Sequence, residues 1–496
     1  MVLEYIIITI YSLALILIFM YALAQLNLLF NYKSAKKKKD TSPKFNLKNN
    51  TEIPFVTVQL HVYNEMYVME RLLNNILKLD YPVEKLEIQV LDDSTDQSVI
   101  TTIAQIKELQ KTGINIRHIR RTNRKGFKAG ALKEGLEIAK GEFIAIFDAD
   151  FLPQKNWLLE TIHYFKNDKI GVVQTRWGHI NRNYSTLTKI QAFALDAHFT
   201  LEQVGRNTNG HFINFNGTAG VWRKKCILDA GNWEGDTLTE DLDLSYRAQL
   251  KKWKFKYLEH VKTPAELPVI ISAARSQQFR WNKGGAENFQ KMIKHILLNN
   301  NISLKTKIHS VLHLLNSSMF LMILIVAILS IPMLYIKNEY PHLKSYFYMI
   351  SFFIVSSLIF FICYWYMYKK SYGGGIKSFF KYTGTFFTFF SIAMGFSFHN
   401  SVAVLEGHFG KKSDFIRTPK FNIKTLKDTW KKNKYIHKKI STNTIVEGIL
   451  TLYFAFGMYS AFVVGNQGGD FGLFPFHLML FLGFGYVFWK SIFSRA

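Results

Sequence analysis

Only two cysteines occur in 496 residues, Cys226 and Cys363, far apart and the second inside an apolar run. Their scarcity excludes a disulfide framework and a cysteine-rich metal site. Acidic charge is scarce as well: 36 Asp and Glu against 62 Lys and Arg leave a formal charge of +26, beside 48% hydrophobic residues. That balance suits nucleic acid or an anionic membrane surface. The distribution decides, because the lysines cluster beside apolar runs long enough to cross a bilayer, and nucleic-acid binding falls away. Charge is nearly missing from residues 2–30, where Glu4 stands alone ahead of Lys33, Lys36, Lys37, Lys38, Lys39, Lys44 and Lys48. A cleaved signal carries its positive charge before a shorter apolar run. Residues 1–30 therefore read as an uncleaved membrane helix, and 31–50 as a basic cytoplasmic linker.

The carboxyl-terminal half follows the same logic. Within 304–370, Leu312–Ile336 and Tyr346–Tyr368 each have the length of a span. Residues 379–400 are apolar but short, and the segment after them, 401–443, carries a dense basic run from Lys411 to Lys439. A full crossing at 379–400 would place that run outside, against the positive-inside rule, so an interfacial or re-entrant piece is expected. A final pair, Thr444–Val464 and Phe471–Trp489 within 444–496, is joined by a loop without Lys or Arg. The expectation is five spans in an inner or plasma membrane, with the amino terminus outside and the basic segments in the cytoplasm.

What is there in abundance between the first two spans is alternation of strand and helix, as in an α/β domain over 51–266. Phe55–Leu60, Leu86–Leu91 and Ile114–Ile119 are strand candidates, the first two running into Tyr63-Asn64-Glu65 and Asp92-Asp93-Ser94. The fourth, Phe143–Phe147, runs into Asp148-Ala149-Asp150. Two carboxylates one residue apart project from one face at the end of a parallel strand, where open α/β sheets place ligands. Such oxygen donors suit Mg²⁺ or Mn²⁺ with a substrate diphosphate completing the shell. The basic turn Arg124–Leu132, punctuated by Gly126 and Gly130, opens a helix, where Lys128 and the helix start suit a phosphate. Asn214–Gly220 supplies small residues and amides. In Asp236–Leu244, Thr239 or Asp236 could cap a helix with an acidic first turn, and dipole compensation alone would explain Glu240 and Asp243. Arg280-Trp281 suits a membrane interface, or a guanidinium for a diphosphate beside an indole for a sugar face. The 43 Phe and 24 Tyr suit lipid contact, packing or a sugar path equally well.

Taken together, Asp92-Asp93, Asp148-Ala149-Asp150, Thr239-Glu240-Asp241 and Gln277-Gln278-Phe279-Arg280-Trp281 resemble the D, DxD, TED and QxxRW series of family 2 glycosyltransferases, in order and spacing. More narrowly the series is similar to that of membrane polysaccharide synthases related to cellulose synthase. The stretches around Gly126–Leu132 and Asn216–Arg223 resemble plant cellulose-synthase-like enzymes that make mannan, glucomannan or the glucan backbone of xyloglucan. Phe415-Ile416-Arg417-Thr418-Pro419-Lys420 resembles the FxVTxK gating loop of bacterial cellulose synthase, with Arg417 where that pattern has Val. No regulatory domain is expected after the last span.

The resemblance implies a GT-A-type domain with a mainly parallel sheet, inserted between membrane helices and followed over 267–300 by interfacial helices bearing QxxRW. It implies that Tyr63, Glu65, Asp93 and Lys128 hold the nucleotide side, and that Asp148 and Asp150 bind the nucleotide-sugar and its divalent metal. Asp241, with Glu240 beside it, would be the general base. Gln277 and Arg280 would grip the diphosphate, Trp281, Asn216 and Gly217 would meet the acceptor, and Phe415, Thr418 and Lys420 would form the gating loop. The chemistry agrees: a sugar hydroxyl needs a base, and a departing nucleoside diphosphate needs positive charge. One base without a second carboxylate nucleophile implies inversion by single displacement, as argued for glycoside hydrolysis. The expected function is hexose transfer from GDP-mannose or UDP-glucose to a growing β-linked polysaccharide, processive and coupled to translocation. Transfer of one sugar to a lipid acceptor is the alternative. A silent scaffold or transporter is disfavoured by the complete acid set.

Overall fold

A computed structural model of the chain describes residues 2–35, 53–431, 433–436, 441–465 and 468–493. The lysines at 36–39, 44, 48, 432, 438 and 439 fall outside the described residues. Seven strands form one mixed sheet of order β3-β2-β1-β4-β6-β5-β7: β1 Val56–Val62, β2 Leu86–Asp92, β3 Ile116–Ile119, β4 Phe143–Asp148, β5 Ile170–His179, β6 Gly220–Arg223 and β7 Lys254–Ala265. β1 runs parallel to β2 and β4, β2 to β3 and β5 to β7, while the short β6 is antiparallel to both neighbours. The third strand is shorter than Ile114–Ile119, beginning at Ile116.

Helices cover both faces: β4 is apolar up to Phe147, as suits a strand buried on both sides, whereas β1 and β2 alternate and pair their buried polar residues, Thr57 donating to Glu87 at 2.8 Å and Gln59 to Gln89 at 3.0 Å. On one face Val58, Leu60, Val90 and Phe147 pack against Leu72, Leu73 and Trp157. On the other, Ile144, Ile146 and Trp222 pack against Leu132 and Leu136 of helix Phe127–Ile138 and against Leu244 and Ala248 of helix Glu240–Leu250. From β1 the chain builds outward to β3 and then returns to place β4 on the opposite side of β1. That reversal opens a crevice at the carboxyl ends of β1 and β4, where His61 is in register with Asp148.

Among the described residues, five helices are long and apolar enough to cross a membrane: Val2–Ala35, Asn316–Glu339, Pro341–Tyr372, Thr442–Val463 and Phe474–Phe493. A sixth apolar unit, Ile376–Gly395 with Ser397–His408, is bent by 51°. Both of its ends lie against the α/β side. Just before it, Tyr372 donates to Asp196 at 3.0 Å, and at its far end His408 lies 3.0 Å from the Gln290 amide. A bent pair of this kind is either a broken span or a re-entrant loop, and the expectation for 379–400 is an interfacial or re-entrant piece. The first membrane helix seats the domain: Gln25 donates to Glu202 at 2.9 Å and Tyr32 to Glu259 at 2.9 Å. Where several interfacial helices were expected over 267–300, one helix, Ile271–Leu298, runs.

Candidate active site

The crevice holds a cavity of about 160 Å³. Strand ends supply Tyr63 and Glu65 after β1, and Asp148 and Asp150 at and after β4. Asn216 and Gly217 come from the loop before β6, Glu240 and Asp241 from the first turn of helix Glu240–Leu250, and Gln277, Arg280 and Trp281 from helix Ile271–Leu298. Phe415, Arg417, Thr418 and Lys420 lie on the extended segment after His408 and complete the wall. Asp93 is set back from the cavity, held by Arg121 at 2.6 and 2.7 Å and by His61 at 3.5 Å. Every other residue that the sequence nominated lines the cavity.

Each donor-side acid meets a cation. Lys128, carried by the first turn of helix Phe127–Ile138 after the left-handed Gly126 (φ 70°), donates to Asp148 and, at 2.8 Å, to the Gly217 carbonyl. Lys420 donates to Asp150 at 2.7 Å, and Arg417 makes two hydrogen bonds to Glu65, at 3.0 and 2.9 Å. Arg280 donates to Thr418 at 3.0 Å and lies 4.7 Å from the centre of the Phe415 ring, which stacks on Phe127. The segment 415–420 is thus tied to residues of the cavity at four points. Arg417, the departure from the gating pattern, makes one of the ties.

Burial and charge set the protonation of these groups. Burial pushes the Asp148 carboxyl up, but Lys128, helped by Lys420 and His61, more than offsets it and holds it below the usual range. Burial raises Glu65 to about 7 in spite of Arg417 and Lys420. For Asp241, burial and then the Glu240 charge push the carboxyl well above the usual range, against the pull of Lys128. Burial likewise lowers the Arg280 guanidinium to about 10. Asp243, by contrast, is fully buried and paired with Arg247 at 2.6 Å and Lys291 at 2.9 Å, a structural role.

The donor set fits a hard divalent cation. Asp148 and Asp150 offer only oxygens, and Asp150 Oδ1 is buried without a hydrogen-bond partner among the described residues. A second acidic group, Glu234, Asp236 and Asp243, surrounds the Lys291 ammonium instead.

Sequence reasoning missed His61, Trp177, His179 and Glu266, which also line the cavity, and Arg124, whose guanidinium lies 3.5 Å from the centre of the Tyr63 ring. Alternation along β1 could have found His61. Trp177 and His179 end β5, which no motif marks.

Residues 54–284 match the model of the Glycosyltransferase like family 2. The chain carries a family 2 glycosyltransferase domain. Over 263 residues the chain is 46% identical to a protein named probable glucomannan 4-beta-mannosyltransferase 11 from Oryza sativa subsp. japonica, covering 52% of this chain and 46% of that one. A glucomannan 4-beta-mannosyltransferase 1 from Cyamopsis tetragonoloba is 40% identical over 287 residues, covering 56% of this chain and 53% of that one. The chain thus spans about half the length of the curated relatives it matches. Among solved structures, a mannosyltransferase from Pyrobaculum calidifontis in complex with GDP-Man and Mn²⁺ covers 81% of this chain and all of its own, with a TM-score of 0.53 at 18% identity. That likeness shows that the glycosyltransferase domain shares its fold.

Proposed function

We propose that this protein is an inverting hexosyltransferase that moves mannose from GDP-mannose to a growing β-linked mannan or glucomannan at the cytoplasmic face of a membrane. The names of the curated relatives support the sugar and linkage, and the name of the solved mannosyltransferase supports the nucleotide. One observation carries the reading. The catalytic cavity shares Trp177, Asn216, Thr239, Asp241 and Trp281 with a second cavity of about 570 Å³ that lies among the membrane helices. An acceptor meeting Asp241 and Trp281 from that side has a route into the bilayer-spanning part.

Asp148 and Asp150 would hold a divalent cation, which when bound supplies positive charge to the donor diphosphate. Arg280 faces the same space and stabilises the negative charge that builds as the nucleotide leaves. The Asp241 carboxylate takes the proton of the acceptor hydroxyl, whose oxygen bonds to the anomeric carbon as the carbon–phosphate-oxygen bond breaks on the opposite face. Trp281 offers an indole face to the acceptor ring. Lys420 and Arg417 must release Asp150 and Glu65 for donor and cation to seat, so the 415–420 segment would move with each donor exchange.

Membranes carrying the protein are incubated with labelled GDP-mannose, UDP-glucose and other nucleotide sugars. The expected result is incorporation from GDP-mannose with Mn²⁺ or Mg²⁺ into a long product cut by β-mannanase. Label appearing only in a solvent-extractable product of one added sugar would overturn it in favour of a lipid acceptor. The apolar part of the second cavity, with Phe320, Phe360, Phe389 and Phe390, is the observation that favours that second reading.

A further inference from the structure

The proposed transfer needs Asp241 and Arg280 at a constant separation, yet they stand on different helices. One face of helix Ile271–Leu298 joins them. Beyond Gln277, Arg280 and Trp281, the stripe continues through Gly284, Glu287, Asn288 and Lys291, spaced three or four apart as one helix face requires. These four residues grip the turn that leads into helix Glu240–Leu250. Asn288, fully buried, donates its amide to Thr239 Oγ1 at 2.9 Å and to the Thr239 carbonyl at 3.3 Å. Glu287 accepts from the Leu238 amide at 2.7 Å, and Lys291 donates to Glu234 at 2.7 Å and to Asp236 at 2.8 Å. Gly284 makes room for the contact: a Cβ there would stand 2.4 Å from Thr239 Oγ1.

Thr239 is the N-cap residue of the acid-bearing helix, and its hydroxyl makes no capping bond. A cap of this kind is ordinarily worth about 1 kcal/mol to a helix. Here the hydroxyl serves Asn288 of the other helix instead, so the contact fixes one helix against the other rather than stabilising the helix it begins. Asp241 stands two residues after Thr239 in the first turn of the same helix, so the place of its carboxylate follows the place of that turn.

We propose that Asn288 is a positioning residue for the transfer step: acting through Thr239, it sets where Asp241 stands relative to Arg280. The inference rests on the reading of Asp241 as the base. It is tested on the purified full chain by a double-mutant cycle in kcat and donor KM. Asn288→Ala and Thr239→Val should each lower kcat roughly 10- to 100-fold, as a small misplacement of a reacting group does, with donor KM within about twofold. The double variant should be no worse than the poorer single, because both remove one contact. Thr239→Ser, which keeps the hydroxyl, should recover most of the loss seen in Thr239→Val. Additive losses in the double variant would overturn the inference, as would parental kcat in folded Asn288→Ala. Should Asn288→Ala fail to fold, the Thr239 pair decides, and equal kcat for Val and Ser overturns it. Asp241→Asn is measured alongside: if it turns over, the base reading falls and this inference with it, whereas an inactive Asp241→Asn with an additive cycle sinks this inference alone.

Discussion

At the scale of single residues, the site is a set of acids whose charge is governed by neighbours from other parts of the chain. As the proposed base, Asp241 has to be ionised to accept a proton, and burial and Glu240 both oppose that. The rate should therefore rise with pH through a value above the ordinary carboxylate range, since the working form is the deprotonated one. Removing the neighbouring charge with Glu240→Gln should move that acidic limb to lower pH, as read from a kcat profile; a limb that stays put would show that Glu240 does not act on Asp241. Asp241→Asn should abolish transfer while donor binding survives, checked by calorimetry beside turnover. Asp150→Ala should lose metal-dependent nucleotide binding, and full activity of the parent in excess chelator would exclude the metal. The nominated acids were legible because carboxylates cluster at strand ends and a helix start. Their partners were not: Arg417, Lys420 and Arg121 lie far from Glu65, Asp150 and Asp93 in sequence, and no spacing rule links them.

Among elements, helix Ile271–Leu298 is the one that others hang on. Toward its start Arg275 donates to Thr444 at 3.0 Å and pairs with Glu447, both on membrane helix Thr442–Val463. Farther along, the fully buried Lys283 donates to Ser413 at 2.7 Å, anchoring the segment that carries Phe415 to Lys420. A change in the membrane helices can thus reach the candidate site residues through one helix. Because Glu447 is fully buried, Glu447→Ala would break a buried ion pair at a cost of ~3–5 kcal/mol. A clear fall in melting temperature of the detergent-solubilised protein is expected, and an unchanged transition would show that the pair is not needed. Only the QxxRW stretch of this helix was conspicuous in sequence. The rest of its roles depend on which elements fold against it, so 267–300 read as interfacial pieces rather than as a spine.

For the whole molecule, the five candidate spans and the bent unit at 376–408 place the basic segment beside the catalytic cavity. Both native cysteines are buried, so introduced cysteines report topology cleanly. In sealed vesicles, His342→Cys, in the exposed turn Pro341–Leu343 that opens the Pro341–Tyr372 unit, should label from outside. Lys424→Cys, exposed on the segment beyond 420, should label only after permeabilisation. External labelling of Lys424→Cys would reject the five-span arrangement.

By itself the sequence determined the fold class, the apolar spans, the strand ends and nearly all the acids of the site, because each of these is written in local periodicity, run length or short spacing. Only tertiary structure decided that Asp93 sits behind the cavity, that Asp243 is spent on Arg247 and Lys291, that β6 runs against its neighbours and that one face of one helix ties the base-bearing turn to Arg280. Those outcomes depend on contacts between residues dozens to hundreds of positions apart, and a contact of that kind leaves no periodicity for a linear reading to detect.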